Sequence, residues 1–398
     1  MPCAKSPPPI RRDEDRPQYG RLVFMSWAIW ITGIPGSGKT TCARAAGEEL
    51  RARGYPVRIL ELDPIRKTLT PEPRYTDNER DVVYRALGWM ARLLTEASIP
   101  VIVDATAHRR AWQDLTRATI PDFAEVQIVC PREVARERER SRSRSNPSCG
   151  IYEHAGQPGT PVPGLGVPYE PALFAELIID SDRESVAEAA HRIADLAVRL
   201  AVGREAAVLD TTGWAIWITG RPGTGKTTVT SRVVEALATR GVPVRALDLD
   251  EVRRQLVPGG RVSETDREIL HRALAYATKL LTEAGTAVII DAAAPRRSWR
   301  QAAREMIPCF AEIYLVCPME VCVDRERAAR WGLGGKAPAF APPTGRDAAP
   351  DIILDYEESL RPELIVHTDV DDPSTAAQKI LFLVQRLHRP PATALETS

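Results

Sequence analysis

The sequence predicts an α/β protein made of two tandem copies of one domain, each a mostly parallel sheet with helices on both faces. Three observations carry that expectation. The segment from Trp27 to Thr41 returns at Trp214 to Thr228 with changes only at Ile34/Arg221 and Ser37/Thr224, an offset of 187 residues. That offset holds without a gap through Asp63/Asp250, Arg66/Arg253, Arg80/Arg267, Asp104/Asp291, Trp112/Trp299, Cys130/Cys317 and Arg138/Arg325, and so long a period is a whole domain, not a solenoid unit. Within each copy, short apolar runs alternate with segments of helical periodicity, the pattern of parallel strands joined by crossover helices. Finally, 398 residues exceed what one small core organises.

Strands are expected in the first copy at residues 28–32, 57–62, 101–103, 126–129 and 177–179, with equivalents in the second. Helices are expected at 40–53, at 78–97 with Val82, Leu87, Leu94 and Ala97 facing inward, and at 184–202 and 375–387. These place the domains at 26–202 and 214–390, joined by a linker at 203–213. Residues 1–25 show no apolar periodicity and read as a disordered tail, with Met25 an alternative start to Met1, and 391–398 form a second tail. Residues 141–171 and 331–350, rich in Gly, Pro and Ser, have the length of lids or insertions. Trp27, Trp30, Trp214 and Trp217 flank the first strand of each copy and read as packing residues. Cys130 and Cys317 read as small buried ones.

Composition bounds the function. Lys plus Arg and Asp plus Glu each number 53, so no net field gathers nucleic acid or a membrane surface, and anion binding has to be local. No apolar run reaches the ~20 residues of a spanning helix. The proline-rich, charged start is no secretory signal. Seven cysteines without a C-x-x-C pair fit reduced thiols. Together these predict a cytoplasmic protein, with homo-oligomerisation left open. The charged run Arg136 to Ser145 reads as a solvated helix end, with an anion-steering lid or an RNA-contacting patch as alternatives.

The chemistry begins at Gly33 to Thr40 (G-I-P-G-S-G-K-T) and Gly220 to Thr227 (G-R-P-G-T-G-K-T). Both fit G-x-x-x-x-G-K-[ST], each after a strand and before a helix, so the fold class sharpens to two tandem P-loop NTPase domains. Gly36, Ser37 and Gly38, with Gly223, Thr224 and Gly225, let backbone N–H groups turn inward around phosphate at a helix N-terminus. Lys39 and Lys226 reach the β/γ-phosphates of ATP, Thr40 and Thr227 ligate Mg²⁺, and Thr41 and Thr228 complete the nucleotide set. No N-K-x-D segment for guanine is present.

Ligands of open α/β sheets bind at the carboxyl edge, where L-E-L-D-P-I-R and L-D-L-D-E-V-R put Asp63, Arg66, Asp250 and Arg253. Asp63 and Asp250 are candidate catalytic carboxylates, the alternative being helix caps. Asp104 and Asp291, ending V-I-V-D and V-I-I-D, are candidate Mg²⁺ ligands with the same alternative. Arg80 and Arg267 open the long helix, and Arg109, Arg110, Arg296 and Arg297 follow the third strand. Together they suit an anion clamp for a small acceptor, since guanidinium matches phosphate or sulfate bidentately.

These motifs resemble the adenylyl-sulfate (APS) kinase family, which phosphorylates the 3′-hydroxyl of adenosine 5′-phosphosulfate with MgATP in sulfate assimilation. The resemblance rests on D-L-D-E-V-R, P-M-E-V-C-V-D-R (Pro318 to Arg325) and G-L-G-G-K-A (Gly332 to Ala337) in the second copy, and on G-I-Y-E-H-A (Gly150 to Ala155) and V-P-Y-E-P (Val167 to Pro171) in the first. It implies that Asp63 and Asp250 serve the acceptor hydroxyl, that Arg66, Arg80, Arg253 and Arg267 bind APS, and that Arg138 and Arg325 lie at the ATP site. On the acceptor side, Asp104 and Asp291 stand where the family has an aromatic residue, and Val83 and Leu270 where it has an asparagine. Two other readings stay open: a different hydroxyl acceptor (polynucleotide, sugar or antibiotic), or one half that binds nucleotide without turnover.

Overall fold

The structure is a computed structural model that describes residues 26–145, 168–201, 213–259, 262–330 and 356–387. The expected tails, nearly all of the linker and most of both long loops lie outside the described residues. In the first half the chain runs β1 (Ala28–Thr32), α1 (Lys39–Ala52), β2 (Arg58–Glu61), α2 (Leu62–Leu69), α3 (Asp77–Glu96), β3 (Val101–Asp104), α4 (Ala111–Arg117), β4 (Phe123–Val129), α5 (Arg132–Ser145), β5 (Leu177–Asp180) and α6 (Val186–Leu200). The second half repeats it: β6 (Ala215–Thr219), α7 (Lys226–Thr239), β7 (Val244–Asp248), α8 (Leu249–Leu256), α9 (Glu264–Glu283), β8 (Ala287–Asp291), α10 (Arg297–Met306), β9 (Phe310–Val316), α11 (Met319–Arg330), β10 (Leu364–His367) and α12 (Pro373–Leu387).

Each half is a five-stranded parallel sheet, ordered β2-β3-β1-β4-β5 and, from the other edge, β10-β9-β6-β8-β7. The central strands β1 and β6 are buried along their whole length, as strands covered on both faces must be. Their neighbours leave toward opposite edges, so a crevice opens beyond their carboxyl ends. Register puts Asp104 opposite Ile31 and Asp291 opposite Ile218, at the lip of that crevice.

The structure differs from the sequence reading in two respects. β4 starts at Phe123, not residue 126, because Glu125, sitting inside the strand, breaks the apolar run. The helices α2 and α4 were given no bounds from sequence, being eight and seven residues long and too short to display a period, and α5, read only as a helix end at Arg136 to Ser145, starts at Arg132. The long helices start on hydroxyl caps: Thr76 accepts from the Glu79 amide, and Ser263 forms a capping box with Asp266.

The two halves share a core. α3 packs on α8 and α9, and α2 on α9, so one apolar cluster contains Leu87, Met90 and Leu94 together with Leu270, Leu274 and Leu281. Polar contacts stitch the seam. Asn78 Nδ2 donates to Asp266 Oδ1 at 2.9 Å, Arg58 donates to the Glu283 carbonyl at 2.7 Å, and Arg245 pairs with Glu96. All four tryptophans of the repeats are buried as expected, with Trp30 Nε1 donating to Ala105 O and Trp217 Nε1 to Ala292 O. No helix among the described residues is long and apolar enough to cross a membrane.

Candidate active site

The loops after β1 and β6 are shaped by glycine where nothing else fits. Gly36 has φ 76°, a left-handed conformation that favours glycine. A Cβ there would lie 2.2 Å from the Ala135 carbonyl oxygen, so the loop is pressed against α5. Gly223 repeats this against Cys322. Gly38 and Gly225, also left-handed, stand at the N-caps of α1 and α7, so the helix N-termini open onto the loops bounded by Gly33 and Gly220.

A bracket not foreseen from sequence holds the first loop from behind, and its arginine–hydroxyl half recurs beside the second. Ser181, just after β5, donates through Oγ to the Ser37 carbonyl at 2.8 Å, and Arg138 donates to Ser181 Oγ at 3.1 Å and to its carbonyl at 2.8 Å. In the second half Arg325 donates to Thr368 Oγ1 at 3.2 Å and to its carbonyl at 2.7 Å. Arg138 and Arg325 thus border the loops. Beside the second lies a cavity of about 410 Å³ lined by Thr224, Gly225, Thr228, Arg325, Thr368 and Pro373, among others.

At the mouth, Lys39 Nζ donates to Ile34 O at 2.9 Å, and Lys226 Nζ to Gly220 O and Arg221 O at 3.1 Å each. Thr40 Oγ1 donates to Asp104 Oδ2 at 2.5 Å, and Thr227 stands close enough to Asp291 to favour its charged form. Thr41 and Thr228 occupy the exposed first turns of α1 and α7. Asp104 and Asp291 are buried, and neither caps a helix; each ends a strand. Burial raises both carboxyls against the pull of the loop lysines, Asp291 to about 6.

Asp63 and Asp250 are not caps either. The N-cap of α2 is Glu61; that of α8 is Asp248, which accepts from the Glu251 amide at 2.8 Å. Asp63 and Asp250 are the exposed second residues of these helices, close enough to Asp104 and Asp291 to raise their pKa values.

The arginines gather on the other side of Asp63. Arg66 lies over the rings of Tyr75 and Tyr84 (5.7 and 5.9 Å), and Arg109 lies over Trp112 at 5.8 Å while pairing with Asp77 at 2.9 Å. Arg80 is buried, and its pKa is lowered by burial and then by Arg66, with Arg109 adding to it, the signature of cations crowded together. In the second half Arg267 and Arg296 both reach Glu264, and Arg253 lies 3.6 Å from Asp250.

Sequence reasoning missed the aromatic floor beneath these cations. Tyr84 stacks on Trp112 at 4.0 Å with His108 edge-on, and His271 stacks on Trp299 at 3.9 Å. Burial lowers both imidazoles to about 4, so they are neutral at pH 7. The 187-residue offset pairs Tyr84 with His271 and His108 with Pro295, a signal present in the sequence but bound to no motif.

A strand–glycine loop–helix at the switch point of a parallel sheet, with Lys, Thr and Asp at its mouth, defines a P-loop nucleotide-binding domain. The sequence matches the adenylylsulphate kinase family over residues 25–180 and again over 212–366. The chain belongs to that family, as a tandem duplication. Among curated relatives, the adenylyl-sulfate kinase of Rippkaea orientalis is 34% identical over 167 residues, covering 42% of this chain and 87% of that protein. The probable adenylyl-sulfate kinase of Archaeoglobus fulgidus is 35% identical over 159 residues, covering 40% and 98%. Among solved structures, the Mycobacterium tuberculosis APS kinase CysC, in complex with AMPPNP and APS, is 25% identical, covers 44% of this chain and 99% of that one, and has a TM-score of 0.36. Family membership makes the protein an ATP-dependent phosphotransferase acting on a small hydroxyl-bearing acceptor.

Proposed function

We propose that the acceptor is adenosine 5′-phosphosulfate and that the γ-phosphoryl group of MgATP passes to its 3′-hydroxyl. The observation that carries this reading is the meeting of three groups in one crevice: the loop with Lys39, the Thr40–Asp104 pair, and the arginine cluster beyond Asp63. In the second half Lys226, Thr227, Asp291 and Asp250 come together likewise, with Arg253 3.6 Å from Asp250 and Arg267 and Arg296 converging on Glu264.

Lys39 and Lys226, with the loop amides, hold the β- and γ-phosphates. Two oxygen donors already in contact, one a buried carboxylate, suit a hard cation that keeps some of its water, so Thr40 with Asp104 and Thr227 with Asp291 would hold Mg²⁺. Bound there, the ion supplies charge neutralisation across the β- and γ-phosphates. Asp63 or Asp250 accepts the proton of the acceptor hydroxyl as its oxygen attacks the γ-phosphorus and the bond to the β-phosphate oxygen breaks, leaving ADP. Arg66, Arg80 and Arg109, and Arg253, Arg267 and Arg296, clamp the phosphosulfate and keep the hydroxyl in line. Arg138 and Arg325 border the nucleotide.

Coupled ADP release with APS, set beside a panel of sugars, antibiotics and 5′-hydroxyl oligonucleotides, tests the reading. APS-dependent turnover is expected; brisk turnover of another acceptor with none on APS rejects it. A second reading, in which one half serves a different acceptor or binds nucleotide without turnover, is favoured by one observation. The nucleotide sides of the halves match, whereas the acceptor sides exchange Tyr84 for His271 and His108 for Pro295.

A further inference from the structure

In the second half a buried arginine fills a cage of oxygens. Arg300, 1% exposed, donates through Nε to Glu312 Oε1 at 2.9 Å, through Nη2 to the Glu357 carbonyl at 2.5 Å, and through Nη1 to the Ala294 carbonyl. Ser359 also donates to Glu312 Oε1. Arg304 bridges Glu312 and Glu363, so two guanidinium groups face two carboxylates.

The first half builds the same frame without that arginine. Ala107 and Ala294 adopt the same left-handed turn, φ 42° and 43°, which an alanine holds only where its surroundings impose it. The Glu170 amide donates to the His108 carbonyl as Glu357 does to Pro295. Arg117 bridges Glu125 and Glu176, and the Glu125 amide donates to Glu176 as Glu312 does to Glu363. The position of Arg300, however, is Gln113, which is fully buried. Among the described residues neither its Oε1 nor its Nε2 finds a partner, and neither does Glu125 Oε1, the oxygen that receives Arg300 in the other half. One guanidinium here faces two carboxylates.

We propose that this cage binds a monovalent cation of potassium size between Glu125 and Gln113, in place of the guanidinium that occupies it in the second half. The oxygens available are Glu125 Oε1, Gln113 Oε1 and the carbonyls of Ala107 and Glu170. Oxygen donors select a hard ion, and a single unmatched carboxylate is too little charge to strip the water from a divalent one. A buried water would satisfy hydrogen bonds but leave Glu125 and Glu176 sharing the single charge of Arg117. The cage anchors the turn that leads into His108 and Arg109, so the ion fixes one wall of the acceptor cluster without belonging to the nucleotide site.

The test is thermal unfolding of the full chain as KCl replaces choline chloride at constant ionic strength. The wild type is expected to gain about 2–4 °C with potassium, and Gln113→Arg, which restores the guanidinium, to show no potassium response. Glu125→Gln, expected to be equally unresponsive, serves if Gln113→Arg does not fold. Crystals soaked in thallium(I) are expected to show an anomalous peak beside Glu125. Equal behaviour in potassium and choline, a potassium gain that persists in the variants, or no such peak would overturn the assignment. In the first of these outcomes a proton on Glu125 balances the charge instead.

Discussion

Asp291 is the residue whose chemistry is most exposed to test. Its carboxyl titrates at about 6 in the folded protein against 3.8 ordinarily, through burial and despite Lys226 and Thr227, with Asp248 and Asp250 pushing the same way. Between those values the native state keeps a proton that the unfolded chain has released, so this group's stabilisation is complete below about pH 4 and is lost as pH rises through 6. Asp291→Asn is therefore expected to raise the melting temperature of the nucleotide-free protein at pH 7.5 and to change it little at pH 4. A gain of about 1–3 kcal/mol at the higher pH follows from the shift, reduced by the counter-charge that Lys226 loses. Paired melts at the two pH values check this, and a variant less stable at pH 7.5 than the wild type would contradict it. The placement of Lys39 and Thr40 at the start of α1 was legible in the sequence because a phosphate loop fixes both residue type and spacing, whereas Asp104, 64 residues beyond Thr40, was read as either a metal ligand or a helix cap. The roles of Tyr84 and His108 were not legible: they meet on Trp112 only after β3 and α3 pack, and no spacing rule announces it.

Among the elements, the loop and α5 act as one unit, because Gly36 sits against the Ala135 carbonyl and Ser181 ties the Ser37 carbonyl to Arg138. Gly36→Ala forces that contact apart and places a side chain at φ 76°. A stability loss of about 1–3 kcal/mol is expected, together with loss of nucleotide binding in the first half, read by thermal melts with and without MgATP. An unchanged MgATP-induced shift would show that the loop does not need α5. β1, β3 and β5 were legible because each is an apolar run closed by a polar residue, and α1, α3 and α6 because their periods run for 14, 20 and 15 residues. α2, entertained only as a helix that Asp63 could cap, was too short to delimit, although it carries Asp63 and Arg66.

For the whole molecule, the duplication is more than two copies on one chain. The offset of 187 residues announces the copies, but their shared core is written only as surplus apolar residues on α3 and α9, which periodicity cannot assign to a neighbour. The Asn78–Asp266 bond joins the N-terminal turns that carry Arg80 and Arg267, so the two arginine clusters lie near a common seam. The account stands on both crevices being nucleotide sites. Calorimetric titration of the full chain with a non-hydrolysable MgATP analogue tests that most directly. Two equivalents per chain are predicted, falling to one in Lys39→Ala and to one in Lys226→Ala; an intact chain that takes up none would contradict the account.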